Sequence, residues 1–286
     1  GTLVLSGNNT YSGGTTISAG TLKIGSATAL GASAGAVSIT SGALLDLNGQ
    51  TMTNTNALTL NGTGISSGGA LINSSSTTAT YAGLITLGSA SSIVGGTGLI
   101  TISHTGTITG SGYGLTLGGA QGGSIASIIG TGSGTVTKEG AGTWTLTGVN
   151  TYTGNTTISA GTFKLDGAGQ LGSGNYSGSI SNSGVLIYSS SADQILAGTV
   201  SGTGALTKDT SSSSTLTLSA ANTYSGDTTI STGYLALGIN NALPSGSNLI
   251  LNGTLNLAGY STTISALSGS GNVINARNIS YAGLVL

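Results

Sequence analysis

Charge is the scarcest commodity in this chain. Of 286 residues, five are Lys or Arg and six are Asp or Glu, 4% in all, against about 25% in an ordinary globular domain. Five cations give no electrostatic footprint for nucleic acid, whose binding rests on several phosphate contacts, so no nucleic-acid partner is expected. A net charge of −1 gives no steering toward anionic surfaces either. The absence of Cys excludes disulfides and thiolate metal sites. A single His with no Cys leaves no metal-ligand set, and no cofactor is expected. One Pro, with Gly outside any strict triplet, excludes collagen. No apolar run approaches the ~18 residues of a membrane-spanning helix, so the chain is not expected to be membrane-embedded. Disorder does not follow from low charge alone: mean hydropathy is +0.31, too apolar for a disordered chain.

What is present is alternation. Apolar residues alternate with Thr or Ser in short runs such as Thr143-Trp144-Thr145-Leu146-Thr147 and Thr215-Leu216-Thr217-Leu218, closed by Gly or Asn. Period two with β-branched residues predicts strands, and the Gly, Asn and Ser at their ends predict turns. Surface helix formers other than Ala are almost missing. The predicted class is all-β.

Internal repeats organise these strands. Three segments align without gaps: GTLVLSGNNTYSGGTTISAGTLKIG from Gly1, GTWTLTGVNTYTGNTTISAGTFKLD from Gly142, and STLTLSAANTYSGDTTISTGYLALG from Ser214. Their shared Asn-Thr-Tyr places Asn9 with Tyr11, Asn150 with Tyr152, and Asn222 with Tyr224 at equivalent turns, where they are expected as structural residues of stacked corners. Together with their following turns the copies fill 1–31, 142–172 and 214–244. Worn copies are expected near 72–100, where Tyr81 heads Tyr-Ala-Gly-Leu-Ile-Thr, and near 278–286. Strands this short cannot bury an apolar face alone. Coiling stacks them at ~4.8 Å into a common core, which predicts a single elongated β-solenoid over 1–286 with roughly 12–14 rungs, a rod of about 60–70 Å.

The repeat, Gly-Thr-Leu-x-Leu-Ser-Gly-x-Asn-Thr-Tyr-Ser-Gly-Gly-Thr-Thr-Ile-x-x-Gly-Thr-Leu, resembles the autotransporter-associated β-strand repeat of bacterial passenger domains. Gly134-Thr135-Val136-Thr137-Lys138-Glu139-Gly140 and Leu243-Pro244-Ser245-Gly246 fit the same resemblance. It implies a secreted, right-handed parallel β-helix at the bacterial outer surface or outside the cell. It does not fix an activity, since one scaffold serves several functions.

Residues that could carry chemistry are few. Asp46, Glu139, Asp166, Asp193, Asp209 and Asp227 are widely spaced. A glycosidase pair needs two carboxyls about 5–9 Å apart, which only neighbouring coils could supply, as with Asp193 and Asp209. The expectation is solvated carboxylates, no catalytic residue and no enzyme. Lys138-Glu139 and Lys208-Asp209 read as turn decoration, and His104 as packed or solvent-facing. The Thr-rich outer faces read as soluble strand surface, and irregular Thr pairs argue against an ice-binding lattice. A Thr, Asn and Tyr face for carbohydrate or a cell surface is the alternative to a purely structural rod.

The chain opens on Gly1-Thr2-Leu3-Val4-Leu5, already a strand pattern, as expected of a processed product or an excerpt of something longer. Neither end carries charge, Pro or a helix that would block strand pairing. The expectation is therefore either continuation of a longer passenger or a homo-oligomer or filament. End-to-end contacts would then run through Thr2, Leu3, Val4 and Leu5 at one end and Tyr281, Leu284, Val285 and Leu286 at the other.

Overall fold

The structure, a computed structural model, describes residues 1–210 and 212–276. Tyr281, Leu284, Val285 and Leu286, with the worn copy expected near 278–286, lie outside the described residues. The chain coils into a β-solenoid of about 13 turns. Every strand pairing is parallel. Among the described residues the strands stack into sheets of 13, 10 and 6 members with a short two-stranded ladder. The first sheet runs from Thr2–Leu5 to Val200–Ser201, the second from Ala79–Tyr81 to Leu267–Ser268, and the third from Asn175–Tyr176 to Asn272–Ile274. Among the described residues helical geometry is confined to two single 3-10 turns, Ile65–Ser67 and Gly172–Gly174.

Register makes the core. Residues one coil apart face each other, so inward side chains pile into columns. In the first sheet Leu22, Leu45, Leu71, Ile93 and Leu117 stack in succession. In the second, Tyr81, Ile102, Ile125, Leu146 and Leu165 do the same. All ten are buried in one contiguous apolar cluster. Burying each Leu or Ile is worth about 1.5–3 kcal/mol, and the parallel ladders pair the backbone groups that such burial would otherwise orphan.

The repeat is the unit that closes a coil. Thr2 pairs with Thr21, Thr143 with Thr162, and Thr215 with Tyr234, an offset of 19 residues each time. The last strand of each motif therefore lies directly on the first. The corner before that strand needs a left-handed residue, and Gly20, Gly161 and Gly233 have φ of +74, +66 and +77°. A Cβ at Gly161 would stand 2.5 Å from the carbonyl oxygens of Gly140 and Gly142, so both conformation and space demand Gly. Other coils are longer: Leu45 pairs with Leu71, 26 residues on. The motif consequently drifts around the rod. Its Thr-Thr-Ile strand lies in the first sheet at Thr15–Ile17 and Thr156–Ile158 but in the second at Thr228–Ile230.

Candidate functional site

The Asn-Thr-Tyr corner staples successive coils. Asn9, Asn150 and Asn222 each donate through Nδ2 to a carbonyl 20 residues ahead, those of Ala29, Gln170 and Ala242, at 2.7, 3.0 and 2.7 Å. Asn150 and Asn222 also reach back, their Oδ1 atoms accepting the Ile129 and Val200 N–H groups at 2.9 and 2.7 Å. Both are buried and span three coils. The neighbouring tyrosines follow one rule. The hydroxyls of Tyr11, Tyr152 and Tyr224 bond the Thr four residues on, at Thr15, Thr156 and Thr228, over 2.9, 2.8 and 2.7 Å. Thr156 Oγ1 bonds the Tyr176 hydroxyl as well, at 2.8 Å, and the Tyr152 and Tyr176 rings meet edge to face at 5.5 Å. Burial, with the Tyr176 ring alongside, pushes the Tyr152 phenol well above its ordinary pKa, and burial raises Tyr224 too.

These contacts place the tyrosines in corner packing and take Tyr152 and Tyr224 out of the alternative Thr, Asn and Tyr outer face. Tyr152 and Tyr224 are buried and only Tyr11 is open, 38% exposed. Their rings fill corners because only there does the hydroxyl find its Thr. Tyr81 is not a worn corner of the same kind. It lies in the strand Ala79–Tyr81, and its hydroxyl donates to the Asn56 carbonyl of an earlier coil at 2.8 Å.

Lys138 and Lys208, expected as turn decoration, are fully buried. Each occupies a core column, Lys138 between Leu117 and Ile158 and Lys208 between Tyr188 and Ile230. The Lys138 ammonium donates to the carbonyls of Glu139, Gly140 and Ala160 at 2.9, 2.7 and 3.0 Å. It thereby caps a corner whose oxygens no strand satisfies. Burial pushes its pKa down to about 8, against the pull of Glu139. Lys208 donates to the Asp209 carbonyl at 3.2 Å and lies 5.8 Å from the Tyr188 ring centre. Burial lowers its pKa as well, while Asp209 and Asp193 oppose the shift.

The carboxylates serve as acceptors for local structure. Asp46, expected in solvent, is buried; it accepts the Asn48 and Ser74 N–H groups at 2.9 and 3.0 Å and the Ser74 hydroxyl at 2.6 Å, with Lys23 Nζ 3.5 Å away. Partial burial opposes ionisation of Asp166, but the Gly167 N–H and Lys164, 3.1 Å away, outweigh it and hold its carboxyl below the usual range. Asp193 accepts the Thr215 N–H at 2.8 Å, and Asp209 accepts the hydroxyls of Ser189 and Thr210. His104 is half-buried, its Nδ1 accepting the Gly106 N–H at 2.8 Å. Among the described residues no three His, Cys, Asp or Glu side chains gather as a metal set.

The outer faces are more regular than sequence spacing suggested. On the first sheet Thr116, Thr137, Thr157, Ser181 and Ser201 stand in register on successive coils. Beside them runs a rank of Thr135, Asn155, Ser179 and Thr199, set by ladder bonds to those residues' carbonyls. On the other flank, Glu139, Ser159 and Ser183 are exposed. Coil lengths vary, so this register is invisible in linear spacing. The second sheet's outer row is interrupted: Thr101, Ser124 and Thr145 give way to Lys164 and Ile187. A groove of about 290 Å³ opens there among Leu99, Thr101, Ser124, Thr143 and Thr145. At the start of the first sheet Leu3 and Val4 are exposed, at 62% and 50%, while Leu5 is half-buried. No helix among the described residues is long and apolar enough to cross a membrane.

Comparison with known proteins agrees with this architecture. The passenger-associated-transport-repeat family matches residues 1–24, 136–165 and 211–237, the coil-closing motifs. The adhesin BmaC autotransporter of Brucella suis biovar 1 (strain 1330) is 35% identical over 209 residues, covering 73% of this chain. The chain spans only 4% of that relative's length. No solved structure matches it. Coil-closing repeats, an unbroken parallel stack and this similarity agree: the chain is an autotransporter passenger-like repeat protein with a parallel β-solenoid fold.

Proposed function

We propose that the chain is a non-catalytic structural segment, a stiff stalk or fibre unit at or beyond the bacterial outer surface. The coil-on-coil stacking carries this reading. Parallel ladders, aliphatic columns and buried Asn staples link each coil to the next from residue 2 to residue 274. Such a rod resists bending and exposes few loops to proteases. The carboxylates support a non-enzymatic role, since Asp46, Asp166, Asp193 and Asp209 are all engaged by backbone or hydroxyl donors. In a fibre, the parallel pairing that joins coil to coil would join subunit to subunit. Two measurements test the proposal. Antibody to the chain should label intact, unpermeabilised producing cells or the material they shed, and labelling only after permeabilisation would contradict surface display. Sedimentation of the purified chain across a concentration series should show growing assemblies, whereas a monomer throughout would remove the fibre and leave the stalk.

The second reading is adhesion through an outer face, favoured by the in-register hydroxyls of the first sheet and by the relative whose name is adhesin. Binding of the purified chain to a cell surface or matrix, lost when that face is altered, tests it.

A further inference from the structure

We propose that the outer face of the first sheet, from the strand Leu115–Gly118 to Val200–Ser201, binds a neutral polysaccharide laid along the solenoid axis. The inference rests on the adhesin reading and names its face and ligand class. Thr116, Thr137, Thr157, Ser181 and Ser201 place one hydroxyl on every coil in strict register. Coil spacing puts these groups ~4.8 Å apart along the axis, and flanking positions two residues away lie ~6.6 Å to the side. The result is a two-dimensional lattice of hydrogen-bonding groups on a parallel sheet.

Three features select the ligand. The first is charge. Across these coils the lattice carries one ionised side chain, Glu139 on its flank, and no cation to neutralise an acidic polymer, so the partner it fits is uncharged. The second is availability. Inward neighbours such as Val136 and Lys138 are buried, leaving the lattice hydroxyls outward. On the second sheet, by contrast, Ser124 donates to Thr101 at 3.4 Å, and the row then breaks at Lys164 and Ile187. The third is repetition. One hydroxyl contact is worth about 0.5–1.5 kcal/mol net, too little for a single sugar on an open face. Several in-register contacts to one extended chain sum by multivalency. Thr on a strand has few χ1 choices, so less ordering entropy is lost when it binds.

The test is retention of the purified chain on three insoluble neutral polymers, amorphous cellulose, β-1,3-glucan and mannan, with carboxymethyl cellulose as the charged control. The expected result is retention on at least one neutral polymer, weak retention on the charged one, and no competition from the corresponding disaccharide. The triple variant Thr137→Val, Thr157→Val, Ser181→Ala keeps shape and strand propensity while removing three hydroxyls. It should bind about tenfold more weakly or worse. Thr101→Val with Thr145→Val on the second sheet should bind as the parent does. Equal binding by the triple variant, competition by the disaccharide, or retention on no neutral polymer would overturn the inference. Arrest of ice growth without polymer retention would instead assign the lattice to ordered water. If the chain coats cells or matrix yet ignores all three polymers, the adhesin reading stands and this inference falls; if it coats nothing, both fall.

Discussion

Asn222 links three coils through one side chain: its Oδ1 takes the Val200 N–H at 2.7 Å while its Nδ2 gives to the Ala242 carbonyl at 2.7 Å. Asn150 does the same between Ile129 and Gln170. Replacing either with Ala strands a buried donor and a buried acceptor, each costing about 1–3 kcal/mol. Urea unfolding of Asn222→Ala or Asn150→Ala should therefore show a loss of about 3 kcal/mol. Asn9→Ala, which loses one part-buried bond, should lose about 1 kcal/mol. Equal losses at all three sites would contradict the staple.

The tyrosine corners give a second contrast. Tyr152 and Tyr224 are buried where Tyr11 is 38% exposed. Tyr152→Ala and Tyr224→Ala should each cost about 3–5 kcal/mol through an unfilled cavity. Tyr11→Ala should stay within about 1 kcal/mol of the parent. Thermal denaturation of the three variants checks the order.

Alkaline behaviour follows from the buried bases and phenols. Folded Lys138 loses its proton near pH 8, whereas its ordinary pKa is 10.5. The unfolded chain thus holds more protons across that window, and this group makes stability rise with pH from about 8 to 10.5. The phenols act in the opposite sense. Burial pushes Tyr188 up to about 12 and raises Tyr152 and Tyr224 above the ordinary 10. Above pH 10 the folded chain therefore holds more protons, and stability falls. A scan of melting temperature from pH 7 to 12 should pass through a maximum near pH 10. Lys138→Met should shrink the rising limb, leaving the part that buried Lys208 supplies, and keep the falling one. A rise undiminished in the variant would contradict the assignment.

The corner glycine offers a steric test. Gly161→Ala combines a φ of +66° with a Cβ 2.5 Å from two carbonyl oxygens. It should cost more than the ~1 kcal/mol of conformational strain alone and lower the yield of folded chain. Gly246, whose added Cβ meets nothing within 4 Å, should accept Ala with little change. Comparable losses at the two positions would contradict the steric account.

Much of the fold was legible because a solenoid repeats its local rules. Alternation in Thr143-Trp144-Thr145-Leu146 gave inward Trp144 and Leu146, and the three Asn-Thr-Tyr copies marked equivalent corners. The same alternation places Lys138 in the inward phase of Val136, and Lys208 in that of Leu206. Charge made them look solvent-facing, yet a long apolar stem and three carbonyls make an interior ammonium tenable. Asp46 was hidden for a different reason, since its partner Ser74 lies 28 residues away. The hydroxyl lattice was illegible in the sequence because coil lengths differ, and only pairing register aligns Thr116 with Thr137 and Thr157.

Electron cryo-microscopy of native extracellular material from the producing cells tests the central claim most directly. The account predicts rods or filaments with a layer spacing of ~4.8 Å along their axis, in which this chain occupies about 60 Å. Compact particles without that axial spacing would contradict it.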